Sequence, residues 1–224
     1  FPFFWAPSAN STLSLSTQPF WGLSFYYFSV TASAPRTNHK DPVTPTKMNG
    51  IVIYEHINFG GKSKEFISDI ADLKPLGWNH CVSSVKVTGQ PWVAYEHPNY
   101  SGKLLVFEEG NYPDVDKDMN DKITSLKLIT EDLKNPKITL YEHVEYQGEM
   151  RVETEAKNLS KGAFNDRASS HKVQSGAWLL CEHEDGSGLN YIARNGEQLP
   201  DYRLINLNDK LSFLRPLRGG ESQF

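Results

Sequence analysis

The chain has 224 residues, a net charge of −4 at pH 7, 38% apolar and 22% charged residues. This is an ordinary globular composition, with room for one large or two small domains. The slightly acidic balance argues against a nucleic-acid partner, which calls for a basic face. Two cysteines, Cys81 and Cys181, are too few for a disulfide framework. They fit a reducing compartment, so a cytoplasmic location is expected, with secretion as the alternative. From Met48 onward no uncharged apolar run is long enough to cross a bilayer.

Residues 1–47 stand apart. No charged residue precedes Arg36, and aromatics crowd together at Phe3, Phe4, Trp5, Phe20, Trp21, Phe25, Tyr26, Tyr27 and Phe28. No period of 2 or 3.6 is sustained, so a poorly structured segment is expected. One reading is a partial signal peptide ending near Ala32-Ser33-Ala34, although no basic residue precedes the apolar stretch. The reading preferred here is a natural start at Met48, with the upstream part a translation artefact.

In chain order, the first strand signal is Ile51-Val52-Ile53-Tyr54, which opens Tyr54-Glu55-His56-Ile57-Asn58-Phe59-Gly60-Gly61. Val85-Lys86-Val87 then alternates as a half-buried strand does. Trp92-Val93-Ala94-Tyr95 opens Tyr95-Glu96-His97-Pro98-Asn99-Tyr100-Ser101-Gly102, followed by the alternating Leu126-Lys127-Leu128. After a polar, Pro-containing stretch, Ile138-Thr139-Leu140-Tyr141 opens Tyr141-Glu142-His143-Val144-Glu145-Tyr146-Gln147-Gly148. Trp178-Leu179-Leu180-Cys181 opens Cys181-Glu182-His183-Glu184-Asp185-Gly186-Ser187-Gly188. The four openings, at 54, 95, 141 and 181, are separated by 41, 46 and 40 residues. The longer middle step pairs the repeats two and two. No dozen residues carry a helical stripe, and many short strands between turn residues indicate an all-β sandwich.

The spacing aromatic, four residues, aromatic, one residue, Gly is met at Tyr54/Phe59/Gly61, Tyr95/Tyr100/Gly102 and Tyr141/Tyr146/Gly148. It resembles the Greek-key signature of the βγ-crystallins. A Gly at the fold of the hairpin supplies the positive φ required there. The fourth repeat departs, with Cys181 and Gly186 at the aromatic positions, and a looser aromatic corner is expected. Gly110-Asn111-Tyr112-Pro113-Asp114 and Gly196-Glu197-Gln198-Leu199-Pro200-Asp201-Tyr202 resemble the second motif type of that family, so the repeats alternate A-B-A-B. The resemblance implies two βγ-crystallin-type Greek-key β-sandwich domains, at 48–130 and 137–216. Residues 131–136 would be the linker and 217–224 a tail, with Arg215-Pro216-Leu217-Arg218-Gly219-Gly220 read as the start of a further linker. Within the family the look is nearest to non-lens proteins of amphibian epidermis, in which two such domains can precede an aerolysin-like module.

The resemblance also implies calcium, through the family's stretch Asn/Asp-Asn/Asp-x-x-Ser/Thr-Ser. It is intact at Asn120-Asp121-Lys122-Ile123-Thr124-Ser125 and at Asn165-Asp166-Arg167-Ala168-Ser169-Ser170. In Asn79-His80-Cys81-Val82-Ser83-Ser84 a His holds the second position. In Asn208-Asp209-Lys210-Leu211-Ser212-Phe213 a Phe holds the last. Such a stretch offers side-chain oxygens from its Asp or Asn residues, a carbonyl at its third position and a hydroxyl at its fifth, as a hard cation needs. In the family paired stretches exchange ligands, and a carbonyl at the Tyr-Glu start completes the shell. The implied ligand residues are therefore Asn120, Asp121, Lys122, Thr124, Asn165, Asp166, Arg167, Ser169, Asp209, Lys210, Ser212 and Ser83, with Glu55, Glu96, Glu142 and Glu182. His80 offers nitrogen, a poor ligand for Ca2+, so the first-domain site that depends on it should be weak or absent. Few carboxylates per site point to affinities on the order of 10⁻⁶ to 10⁻⁴ M.

The recurring Glu-His pairs at His56, His97, His143 and His183 fall on separate hairpins and give no catalytic cluster. No phosphate loop or nucleophile elbow is present. The expected function is that of a non-enzymatic, calcium-stabilised structural and interaction protein, with association through βγ domains in homo- or hetero-oligomers. The alternatives are an assembly or targeting part of an aerolysin-like pore-forming complex, the only case that involves a membrane, and a metal-free structural crystallin.

Overall fold

The computed structural model describes residues 48–162 and 164–220. The expectations for residues 1–47 and 221–224 lie outside these. Among the described residues there are fifteen strands and a few short 3-10 turns, and no helix is long and apolar enough to cross a membrane. In chain order the strands are β1 (Gly50–His56), β2 (Gly60–Phe66), β3 (Ser84–Thr88), β4 (Trp92–His97) and β5 (Ser101–Phe107). They continue with β6 (Gly110–Tyr112), β7 (Ser125–Leu128), β8 (Lys137–His143), β9 (Gln147–Glu153) and β10 (Lys157–Asn158). The last are β11 (Ser170–Ser175), β12 (Trp178–Cys181), β13 (Asn190–Ala193), β14 (Gln198–Leu199) and β15 (Phe213–Pro216).

They form four antiparallel sheets, ordered β2-β1-β3-β6, β5-β4-β7, β14-β11-β8-β9 and β10-β15-β12-β13. The order reveals an exchange. β6 of the second repeat closes the sheet of the first, and Ile70 of the first repeat bridges to Leu126 in the sheet of the second. β10 and β14 make the same reciprocal loan between repeats three and four. The two repeats of a pair therefore form one sandwich with a shared core, and the all-β, two-domain βγ-crystallin architecture is the one observed.

Alternation along the strands places the core. Ile51 and Ile53 on β1, with Trp92 and Ala94 on β4, are fully buried between the first pair of sheets. Ile138 and Leu140 on β8, with Trp178 and Leu180 on β12, do the same in the second. Each fully buried Ile or Leu contributes roughly 1.5–3 kcal/mol.

A third apolar cluster belongs to neither sandwich. Val93, Leu104 and Ile129 from the first domain meet Ala177, Leu179, Cys181, Ile192 and Leu217 from the second. The outer faces of the β4 and β12 sheets are thus packed on each other within one chain. Arg194 locks the rim, donating to the Leu128 carbonyl at 3.1 Å and to Glu131 at 3.2 Å, while Arg215 pairs with Glu108.

Candidate metal centres at the hairpin bases

Each repeat begins with a hairpin whose aromatic corner holds it folded. Tyr54 and Phe59 meet edge to face at 5.5 Å, Tyr95 and Tyr100 at 6.0 Å, and Tyr141 and Tyr146 at 5.7 Å. The second aromatic of each pair is left-handed, with φ of 62°, 59° and 60°. Bulky residues rarely adopt this conformation. Three lysines help to hold it, because Lys86, Lys127 and Lys172 lie 4.4, 4.8 and 4.1 Å from the ring centres of Phe59, Tyr100 and Tyr146. In the fourth repeat Gly186 takes the position with φ 82°, where a glycine costs nothing. The corner there has no ring pair, because Cys181 and Gly186 carry no rings, and the Cys181 side chain is fully buried in the interface between domains.

The Glu of each opening has a structural task that its sequence position did not reveal. Its carboxylate accepts the backbone N–H seven residues on, at 3.3 Å for Glu55–Lys62, 3.4 Å for Glu96–Lys103, 3.1 Å for Glu142–Glu149 and 2.9 Å for Glu182–Leu189. The carboxylate therefore closes the hairpin, and the carbonyl oxygen is the group left for a metal.

That carbonyl meets the hydroxyl stretch. The backbone N–H of Ser83, Thr124, Ser169 and Ser212 donates to the carbonyl of Tyr54, Tyr95, Tyr141 and Cys181 respectively, at 2.9–3.1 Å. One register thus fixes the hydroxyl residue in all four repeats. Ser83 Oγ then donates to the Glu55 carbonyl at 3.0 Å and lies 3.3 Å from Asp121 Oδ1, which arrives from the other repeat. Thr124 Oγ1 donates to the Glu96 carbonyl at 2.7 Å, and in the paired stretch the position equivalent to Asp121 carries His80. In the second domain Ser212 Oγ lies 3.4 Å from Asp166 Oδ1 and 3.5 Å from the Lys210 carbonyl. Ser169 and Asp209 line one open depression of about 370 Å3 together with His143, Val144, Arg203 and Asn208.

The second position of every stretch is left-handed, at His80 (φ 51°), Asp121 (56°), Asp166 (51°) and Asp209 (54°). Asn and Asp tolerate this region better than other side chains. The last Ser caps the hairpin, since Ser84, Ser125 and Ser170 donate to the His56, His97 and His143 carbonyls at 2.6–2.7 Å. Phe213 forgoes that bond in the fourth repeat.

The donor chemistry fits a hard cation. Among the described residues no group of three or more His, Cys, Asp or Glu side chains clusters, so a bound metal would rely on carbonyls, hydroxyls and a single exchanged carboxylate. The Oδ1 atoms of Asn120 and Asn165, next to the exchanged aspartates, are buried and accept no hydrogen bond. Unpaired buried acceptors cost about 1–3 kcal/mol each. At the rims, the Arg167 guanidinium beside Glu142 holds that carboxyl below its ordinary range. The Leu189 N–H, with Lys210 at 3.4 Å, does so for Glu182. Asn120, Lys122 and Asn165 lie in the same turns, Lys122 donating its N–H to the Met119 carbonyl at 3.1 Å.

A beta/gamma crystallin family model matches residues 50–129 and again 137–217. The chain is 49% identical over 175 residues to the epidermal differentiation-specific protein of Cynops pyrrhogaster, covering 78% of this chain and 52% of that protein. It thus spans about half the length of that relative. It is 33% identical over 153 residues to beta-crystallin B2 of Mus musculus, covering 66% of this chain and 74% of that one. The solved beta gamma crystallin from Ciona intestinalis aligns at 28% identity over 36% of this chain and 99% of its own, with a TM-score of 0.34. With its family model matched twice in succession, the chain belongs to the beta/gamma crystallin family.

Proposed function

We propose that this chain is a non-enzymatic, calcium-binding structural and interaction protein, in which calcium ties the hairpin bases together and stabilises both domains. The observation that supports this most is the meeting of Glu55 O, Ser83 Oγ and Asp121 Oδ1 within 3.3 Å of the hydroxyl. When bound, the ion would supply positive charge at the junction of two hairpins. Ser83, Asp121 and the Glu55 and Cys81 carbonyls would hold it in the first domain. Asp166 with Ser212 and the Lys210 and Glu182 carbonyls, and Asp209 with Ser169 and the Arg167 and Glu142 carbonyls, would do so in the second. A role in epidermis follows the name of the Cynops pyrrhogaster relative, and the two free cysteines favour a reducing, cytoplasmic setting. A ligand that binds only the folded state at one hundred times its Kd adds about 2.7 kcal/mol of stability.

The test is calorimetric calcium titration of the chain beside a variant carrying Asp121→Ala and Asp166→Ala. Heat that the double substitution removes, with a thermal shift on the order of 10 °C in saturating calcium, supports the reading. A second reading is favoured by Thr124, whose hydroxyl is already satisfied by the Glu96 carbonyl at 2.7 Å. On that reading the stretches are hydrogen-bonded locks in a metal-free structural protein. Absence of both heat and thermal shift would select it.

A further inference from the structure

The fourth repeat departs from the other three at two positions, and the two departures face each other. Tyr54, Tyr95 and Tyr141 stand across the ladder from Ser84, Ser125 and Ser170. In the fourth repeat the same cross-strand pair is Cys181 and Phe213. The ring has thus moved from β12 to β15. Both residues belong to the interface between domains, with Cys181 fully buried and Phe213 packed against the same apolar cluster. This exchange takes two local locks from the hairpin base. It has no ring pair, and no serine stands at position 213 to donate to the His183 carbonyl, which accepts the Gly186 N–H at 3.1 Å instead. The Glu182 carboxylate on the Leu189 N–H, at 2.9 Å, is the side-chain lock that remains.

The same base is where an oxygen cluster meets the interface. Ser212 precedes Phe213 and Glu182 follows Cys181, so two donors of the Asp166 cluster are covalent neighbours of interface residues. Beyond Phe213 the chain runs on to the first domain. Arg215 pairs with Glu108, and Leu217 is buried in the interface. The Arg218 N–H donates to Glu108 Oε1 at 3.1 Å and the Gly220 N–H to the Gly89 carbonyl at 2.8 Å. By contrast, the Ser83 and Ser169 clusters stand at the ends of β1 and β8, strands that contribute no residue to the interface. The Thr124 cluster does abut it through Tyr95, but its pair carries His80.

We propose that the cluster of Asp166, Ser212 and the Glu182 and Lys210 carbonyls is coupled to the domain interface, so that a calcium ion held there favours the paired domains and their pairing tightens the hold on the ion. This coupling rests on the calcium reading of the clusters and adds what regulates one of them. Its two states are domains packed through Val93, Leu104, Leu179 and Cys181, and domains apart. With the domains apart, Cys181 and Phe213 lose their apolar cover. A base without ring pair or serine cap then has little to keep Ser212 and Glu182 in register. An ion spanning Asp166, Ser212 and Glu182 fixes that same register, so each event lowers the cost of the other, and the linkage is reciprocal. In the Ser83 cluster the register is held locally, by the Tyr54–Phe59 ring pair and the Ser84 bond to the His56 carbonyl, whether or not the domains are paired. Coupling is therefore expected at the Ser212 cluster and not at the Ser83 cluster.

The experiment is calorimetric calcium titration of the whole chain with one cluster kept at a time. Asp121→Ala/Asp209→Ala keeps the Ser212 cluster, and Asp166→Ala/Asp209→Ala keeps the Ser83 cluster. Each is titrated with and without Leu104→Ser/Val106→Glu. That pair gives β5 the outer residues that β2 carries at Ser63 and Glu65, and so parts the domains from the side opposite the cluster. Small-angle scattering reports the separation, and thermal unfolding reports whether the variant folds. Leu217→Ser serves as a second variant should the first be unstable. Parting the domains should weaken calcium at the Ser212 cluster at least about fivefold and leave the Ser83 cluster within about twofold. Equal affinity at the Ser212 cluster in paired and parted chains overturns the coupling and leaves the calcium reading standing. So does an equal loss at both clusters, or heat from the Ser83 cluster alone. Absence of heat from both clusters overturns the calcium reading and the coupling with it.

Discussion

The Ser83 hydroxyl and the Asp121 carboxylate lie 3.3 Å apart although 38 residues separate them in sequence. They meet because each repeat lends a strand to its neighbour's sheet, which lays the two Asn-x stretches side by side. The Asp121 N–H donates to the Val82 carbonyl at 3.3 Å in the same crossing. The oxygen clusters around Ser83 and Ser212 are thus each built from two repeats, and a defect in one stretch is felt at the cluster of the other.

His80 gives this a direct test. The cluster around Thr124 and the Glu96 carbonyl lacks an exchanged oxygen because position 80 carries an imidazole. The His80 backbone, at φ 51°, matches that of Asp121 at 56°, so an aspartate fits there without moving the chain. On the calcium reading, His80→Asp adds one calcium equivalent per chain in calorimetric titration, with a Kd on the order of 10⁻⁵ M. It also raises the calcium-dependent thermal shift of the first domain. An unchanged stoichiometry would show that the exchanged side chain is not what limits this cluster.

Gly148 separates two costs that glycine avoids. At φ +80° a Cβ there would lie 2.7 Å from His143 Cδ2 and 3.1 Å from Glu142 Cβ. At Gly186, φ +82°, an added Cβ meets nothing within 4 Å. Gly186→Ala should therefore lose about 1 kcal/mol, the cost of the left-handed backbone alone. Gly148→Ala should lose roughly 2–3 kcal/mol because His143 and the hairpin must also shift. Urea unfolding of the two variants in parallel gives the difference, and equal losses would contradict the steric account.

The repeats were legible because Tyr, aromatic and Gly recur at fixed spacing, and each has a local backbone reason to be there. The stretches at 120–125 and 165–170 were legible for the same reason. The pairing of domains was not. Leu104 and Val106 alternate like any half-buried strand, and nothing local tells the outer face of β5 from that of β9. Cys181 stands at an aromatic position of the repeat, and nothing local shows that it fills the interface between domains. The carboxylates of Glu55, Glu96, Glu142 and Glu182 bond to residues across a hairpin, a geometry that composition does not encode. Nothing local marks His171, because its partners Glu197 and Tyr202 lie 26 and 31 residues away.

The two cysteines should differ sharply in reactivity. Cys181 is fully buried, and burial pushes its thiol up to about 11. Cys81 is half-buried. Burial raises its thiol too, with Lys62 opposing and Glu55 and Asp121 reinforcing the rise. The thiolate is the reactive form. At pH 8 a disulfide reagent such as Ellman's should label Cys81 slowly and leave Cys181 untouched until denaturant is added. Equal labelling of both thiols in the native state would contradict the packing at Cys181.

The second domain carries an acid-sensitive element that the first lacks. His171 is fully buried, with Nε2 3.0 Å from Glu197 Oε1 and Nδ1 3.1 Å from the Tyr202 hydroxyl. The Tyr191 hydroxyl donates to Glu197 Oε1 at 2.9 Å and the Arg194 N–H to Oε2 at 3.2 Å. In the first domain the positions of His171, Tyr191 and Tyr202 are filled by Val85, Leu105 and Val115. Burial alone would raise the Glu197 carboxyl, but the bond and charge of His171, the Tyr191 hydroxyl and the Arg194 N–H together outweigh it. The net shift is downward from 4.5. A carboxyl depressed by folding contributes stability that is complete above its unfolded value and drains as pH falls through its folded value. The second domain should therefore lose stability below about pH 4.5 more steeply than the first. Glu197→Gln should cost about 2 kcal/mol at pH 7, as the loss of a charge-assisted bond, and progressively less toward pH 3, where the wild-type carboxyl is itself protonated. Urea unfolding at several pH values, followed by the fluorescence of the buried Trp178, measures this. A cost that is the same at pH 3.5 as at pH 7 would show that Glu197 acts through packing and not through its charge.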